Sequence, residues 1–362
     1  MKKEKASKPL YKCIDQDKKR NPSEISRRQF ISGTMSMAVV SGLGIFKPLD
    51  SIENNEGIKI KVAAAPVIID THTHFYDPFR PVPAGRKDPI SWPAPKSNLY
   101  RAVMPPIWLA LASPLGMKGT VVVEASSWLE DNYWILNLAE KYKYLVGFIG
   151  NLSGTTIVKG AEVSVWDDMK RYKKELKKLS KNPVFRGIRV GGRSVSGDLK
   201  EGKYPHFKLL ADAGLVLDVL NVPASDIVSL AKALPSLIIV VDHMLVIRGT
   251  ASPSAQWHSD IQAIAEPKNV VMKVSGLVEG FDSKETDVIR ALEMSRGALD
   301  HVFKYFGPER LIFGTNWPVS EPKGEMDVVT GIIRKYFESK GEKILADVFS
   351  GNAKKYYKYP DR

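Results

Sequence analysis

The stretch Ile68-Ile69-Asp70-Thr71-His72-Thr73-His74-Phe75-Tyr76-Asp77-Pro78 decides how the chain is read. It runs from an apolar segment into two histidines one residue apart and then breaks at a proline. In a β-strand, residues i and i+2 project from the same face. His72 and His74 therefore point the same way at the end of a strand. Asp70 precedes them and is suited to orient a histidine or to cap the turn. A first strand that ends in a histidine pair lacks the Gly-rich turn that a doubly wound dinucleotide fold places there.

Seven more short apolar or β-branched runs follow the first, at 67–70, and they recur regularly. They lie at 120–124, 145–149, 185–190, 215–220, 237–242, 270–274 and 311–315. Amphipathic helical segments separate them, among them 132–144, 166–179, 226–234 and 286–305. Runs of this length between helices imply a parallel sheet buried on both faces. Eight such units in one chain predict a (β/α)8 TIM barrel, a single α/β domain over residues 61–362. In that fold the C-terminal ends of the strands carry the chemistry. The first βα connection, residues 75–103, is long, proline-rich and contains Trp92. A loop of that length is usually functional and is expected to wall or cover the pocket.

The chain has 362 residues, 44% of them hydrophobic, enough for a sizeable core. Its single cysteine, Cys13, rules out an internal disulfide and a cysteine-based zinc site. The net charge is +13. Residues 1–30 hold ten Lys/Arg against four Asp/Glu, a net of +6, and residues 31–66 hold three of each, so +7 belongs to the rest. With no nucleic-acid motif and no basic stripe interleaved with aromatics, nucleic-acid binding is not expected. Residues 1–60 read instead as a leader and linker. Arg27-Arg28 stand in "SRRQFI" just before the apolar stretch 31–46, which is too short to span a bilayer. The pattern resembles a twin-arginine export signal and implies a periplasmic or exported protein, joined to the membrane only through the leader if that is not cleaved. An A-x-A site lies at Ala63–Ala65.

Other strand ends add candidates. Glu124 ends the second run, as a base, a metal ligand or the partner of an arginine. Arg189 ends the fourth and suits a substrate carboxylate. His243 follows the sixth. Asn316 and Trp317 follow the eighth, in "FGTNWPV". His206, His258 and His301 fall in helical or loop segments and are expected to be structural.

The ordered set "IDTHTHFYDP", "GTVVVEAS", "FRGIRV", "VVDHM", "VMKVSGL" and "LIFGTNWPVS" resembles the amidohydrolase-related family over residues 67–358. The likeness is to its lactonase branch, which holds 2-pyrone-4,6-dicarboxylate lactonase and sugar-lactone hydrolases. The resemblance implies a hydrolase that opens a lactone or similar cyclic ester, without an obligatory metal. His72, His74 and His243 would polarise the carbonyl, arginine near the fourth strand would bind a carboxylate, and an acid after strand eight would take a proton from water. Trp92 and Trp317 are expected to contact the substrate, a lactone or carboxylated sugar derivative. Here the acid is replaced by Asn316, and an amide orients water but cannot accept its proton. Glu124 or a histidine would then serve as base, or the reaction would differ. Alternatively the scaffold only binds its ligand, as a periplasmic binding protein would. No cofactor is the favoured reading. If a metal such as zinc is bound, in a metal-dependent hydrolase or decarboxylase, His72, His74 and His243 are its expected ligands.

Overall fold

The computed structural model describes residues 66–202, 204–247 and 253–362. The leader, with Arg27, Arg28 and Ala63–Ala65, lies outside them.

Eight strands form one parallel sheet in sequence order. They are β1 (Ile68–Thr73), β2 (Met117–Val123), β3 (Leu145–Gly150), β4 (Phe185–Gly191), β5 (Val216–Leu220), β6 (Ile239–Val241), β7 (Val270–Val274) and β8 (Leu311–Phe313). All eight runs expected from the sequence are strands. Most of them are buried on both faces along their length, which is why they read as continuous apolar runs and not as alternation. The ring closes where β8 returns to β1. Thr71 Oγ1 donates to Phe313 O at 2.5 Å, and His74 N–H donates to Trp317 O at 3.0 Å. The fold is a TIM barrel.

Apolar packing occurs in two places. One core lies between the strands and the surrounding helices. The other fills the barrel's interior, with Ile69, Val121, Val216, Val240, Val271 and Ile312 turned inward. The helices start and stop on local signals. Asp287 caps Val288–Phe306 by accepting from the Ile289 and Arg290 N–H groups, and Gly307 ends it with φ 67°. Among the described residues no helix is long and apolar enough to cross a membrane.

The long loop after β1 is pinned at its base and along its length. Tyr76 and Val103 exchange backbone hydrogen bonds at 3.0 and 2.8 Å and close its base. Arg86 then ties it down. Its guanidinium lies over the Trp128 ring at 4.4 Å and bonds Glu130, Glu162 and the Thr155 carbonyl. Thr155–Val158 and Ala161–Ser164 form a small antiparallel hairpin that receives it.

Candidate active site

At the C-terminal mouth lies a cavity of about 870 Å³. His74, Trp92, Glu124, Arg189, His243 and Asn316 line it, so six of the residues singled out in the sequence converge there. His72 does not line it. It is fully buried, with its ring 4.9 Å from that of His74 and 4.4 Å from that of His243.

Backbone geometry sets these side chains. After β6 the chain makes a left-handed turn, with φ between 49° and 61° from His243 to Val246. Such angles are rare for residues with a Cβ and cluster at functional sites. The turn brings His243 Nδ1 to 2.9 Å from Ser275 Oγ. Gly276, itself at φ 67°, leaves room for it, since a Cβ there would meet His243 Cβ at 2.6 Å. Gly314 does the same for His72, whose Cβ would be 2.8 Å away. Asp70 holds the end of β1 as a turn cap and not as a partner of a histidine ring. It accepts from His72 N at 3.0 Å, from Thr315 N at 2.8 Å and from Thr315 Oγ1 at 2.5 Å.

His74 Nδ1 donates to the Val123 carbonyl at 3.0 Å, which leaves Nε2 as the nitrogen without a proton. Burial depresses the basicity of both pocket histidines, His74 to about 3 and His243 to about 4. Arg189 adds to the effect at His74, and Asp242 opposes it at His243. Both are neutral at physiological pH and serve as hydrogen-bonding groups rather than stored charges.

Arg189 is not free for a substrate carboxylate. Its Nε donates to Glu124 Oε1 at 2.8 Å, its Nη2 donates to the Glu124 carbonyl, and Asp242 lies 3.7 Å away. Glu124, in turn, is held in that ion pair.

Trp317 corrects the sequence reading. It is completely buried, its Nε1 donates to Glu321 at 2.7 Å, and its ring packs edge-on to Phe75. It supports the mouth from behind and does not line the cavity. Asn316, at φ 58°, occupies a left-handed conformation that asparagine tolerates, and the direction of the chain changes there. Trp92 lines the cavity, its ring 5.6 Å from that of His74 and 5.0 Å from that of Tyr76.

Beneath the mouth lies a charged layer that the sequence reading passed over. Lys273 on β7 has no exposed surface. It is 2.6 Å from Asp218, 2.9 Å from Asp242 and 3.3 Å from His72 Nδ1. Burial works against its charge, but Asp218 and Asp242 outweigh it and raise its pKa. Burial also pushes Asp218 up to about 6, although Lys273 opposes it. Glu279, in the loop after β7, was missed as well. It lines the cavity and accepts a 2.7 Å hydrogen bond from Asn316 Nδ2.

The donor atoms that converge on a metal-sized point are those of His72, Asp242 and His243, within 4.8 Å of one another, and not the three histidines expected. His74 is replaced by Asp242. The set fits a divalent cation in donor chemistry, and His72 Nε2 is buried with no partner. The Lys273 ammonium already places positive charge on the same carboxylate. An ion bound there would polarise a carbonyl or a water.

The fold and the residues at the mouth point to one family, and comparison decides it. The Amidohydro_2 amidohydrolase family model matches residues 69–359. The chain belongs to the amidohydrolase family. It is 26% identical over 306 residues to L-fucono-1,5-lactonase of Burkholderia ambifaria, covering 80% of this chain and 95% of the relative. Two solved structures share the fold. An amidohydrolase from Burkholderia multivorans with bound zinc has a TM-score of 0.64 at 19% identity, covering 81% of this chain and all of that one. A probable 2-pyrone-4,6-dicarboxylic acid hydrolase from Acinetobacter baumannii, with citric acid bound, has a TM-score of 0.57 at 16% identity, covering 81% and 99%. Family membership and lactonase-named relatives support a hydrolase.

Proposed function

We propose that this amidohydrolase opens the ring of a neutral, polyhydroxylated sugar lactone. The observation that carries this is the chemistry of the cavity wall. Ser91, Ser126, Ser127, Asn151 and Asn221 offer hydroxyls and amides, and Trp92 offers an apolar face for a ring. The wall's only described cation, Arg189, is already paired with Glu124. A dicarboxylate would enter with its charges uncompensated, whereas a neutral ring finds these few hydroxyls and amides set in an otherwise apolar wall. The similarity to an L-fucono-1,5-lactonase supports the same class.

In this reading His243, with Nδ1 accepting from Ser275 Oγ, donates its Nε2–H to the lactone carbonyl and the developing oxyanion, while the unprotonated Nε2 of His74 accepts from a substrate hydroxyl or a water. Water adds to the carbonyl carbon, the ring C–O bond breaks, and a hydroxy acid leaves. A panel of aldonolactones and carboxylated lactones, with and without chelator, tests the proposal. Turnover of aldonolactones that survives chelation is the expected result. Turnover confined to carboxylated lactones would overturn the substrate class. Activity lost to chelator and restored by zinc would favour the metal-dependent reading, which the His72, Asp242 and His243 convergence motivates. Thermal stabilisation by a lactone without turnover would favour a binding protein.

The site of action is the periplasm or beyond, supported by Arg27-Arg28 before the apolar stretch. Replacing both arginines by lysine is expected to leave the tagged protein in the cytoplasm. Unchanged export would overturn the twin-arginine route.

A further inference from the structure

The lactonase reading leaves open which group takes the proton from water. Four titratable side chains besides Glu279 line the cavity: His74, Glu124, Arg189 and His243. Glu124 is held by Arg189 at 2.8 Å, which engages its Oε1 and fixes the carboxylate against the guanidinium. The two histidines are made feeble bases by burial.

Glu279 is placed differently. Its carboxylate accepts from the Asn316 amide at 2.7 Å and from the Val278 backbone N–H at 3.1 Å. Both donors are neutral. They fix the carboxylate's position without quenching it as a guanidinium would. Among the described residues, no lysine or arginine forms a salt bridge with it. Asn316 itself lines the same cavity. The geometry also gives a reason for asparagine at 316. An aspartate there would set two carboxylates against one another at hydrogen-bond distance, whereas the amide turns that repulsion into a bond.

We infer that Glu279 is the general base of the hydrolysis, and that Asn316 positions it. The inference rests on the lactonase reading above. Glu279 Oε takes a proton from the attacking water as the water oxygen bonds to the carbonyl carbon and the carbonyl π pair moves to oxygen. On collapse the ring C–O bond breaks, and the departing alkoxide takes the proton back from Glu279. Lactone plus water gives the hydroxy acid, and the carboxylate is regenerated. Burial raises Glu279 above the usual carboxylate range, and the bond from Asn316 partly offsets this. Activity should therefore fall as pH drops through that raised value.

The same burial makes a stability prediction of opposite sign. A carboxyl whose folded pKa is raised stabilises the fold below its unfolded value, and that contribution is lost as pH rises. Glu279→Gln should then leave the melting temperature at pH 7 unchanged or higher while lowering kcat about 10²-fold or more. A merely structural Glu279 would lower both.

Three variants complete the test on the full chain with an aldonolactone. Asn316→Asp should move the acid limb of kcat/KM to higher pH, since paired carboxylates share a proton. The double variant Glu279→Gln with Asn316→Asp should regain at least about tenfold over Glu279→Gln alone, because a base is restored to the same pair. Glu279→Asp should retain the acid limb at reduced rate. Glu279→Gln that keeps more than about a tenth of wild-type turnover, against the usual scale of a lost base, sinks the inference but leaves the lactonase reading standing. Wild type without lactone turnover overturns both.

Discussion

Lys273 sits with no exposed surface between Asp218 and Asp242, which among the described residues are the two carboxylates that pair with it. Removing one member of such a cluster leaves the others buried and uncompensated, which typically costs about 3–5 kcal/mol. Lys273→Met, which keeps the volume and removes the charge, is expected to destabilise by that amount in urea unfolding. A change under about 1 kcal/mol, the scale of an exposed pair, would show that the layer is hydrated instead. Lys273 also shows where sequence reasoning stops. It stands in "VMKV", the middle of an apolar run, and periodicity treats a lone charge there as an exception. His74, His243, Glu124 and Arg189 were legible because they stand at strand ends, where the barrel dictates the direction. Trp317 was misplaced because adjacency to Asn316 does not fix side-chain direction once the backbone turns left-handed. Glu279 stands five residues beyond β7 in irregular chain, where no period assigns a face.

At the scale of elements, the mouth depends on close approaches of backbone to side chain. Gly276→Ala places a Cβ 2.6 Å from that of His243 and puts alanine at φ 67°. It should displace the His243 ring and lower kcat by about 10²-fold, the loss expected for one misaligned oxyanion donor, with KM less affected. Unchanged kinetics would mean that the left-handed turn at 243–246 moves freely. The long loop carries a separate expectation. Arg86→Ala removes its anchor on Trp128, Glu130 and the hairpin and should cost about 1–3 kcal/mol, as for a buried donor lost. Trp92 is carried by this loop, so KM should rise more than kcat falls. A fall in kcat with KM unchanged would place Trp92 outside ground-state binding. The eight strands and the intervening helices were legible because short continuous apolar runs alternate with longer amphipathic segments. The loop's role could be argued only from its length, proline and tryptophan. Its fastening by Arg86 required the tertiary contacts.

On the scale of the whole molecule, a line of polar contacts runs from the C-terminal helix through the barrel to the mouth. Helix Asn352–Tyr357 lies across the N-terminal ends of the strands, where Asn352 Nδ2 donates to the carbonyls of Pro308 and Leu311. Arg362 reaches Leu145 O at the start of β3. Tyr357 is fully buried, packs with the inner core and donates its hydroxyl to Asp218 at 3.0 Å. From there the polar contacts continue through Lys273 to Asp242 and His72. Burial, reinforced by Asp218 and Asp242, keeps the tyrosine proton in place. Tyr357→Phe therefore removes one donor and no volume, and Tyr357→Ala removes both. Phe should cost about 1–3 kcal/mol, the penalty for an acceptor left short, and Ala about 3–5 kcal/mol, the scale of an aromatic truncated in a core. The comparison separates packing from the charged line. Should the Phe variant lower kcat while melting normally, the hydroxyl's effect travels up the line to His72. Should kcat hold in the Phe variant, the plug only seals the barrel, and the mouth is set by its own loops.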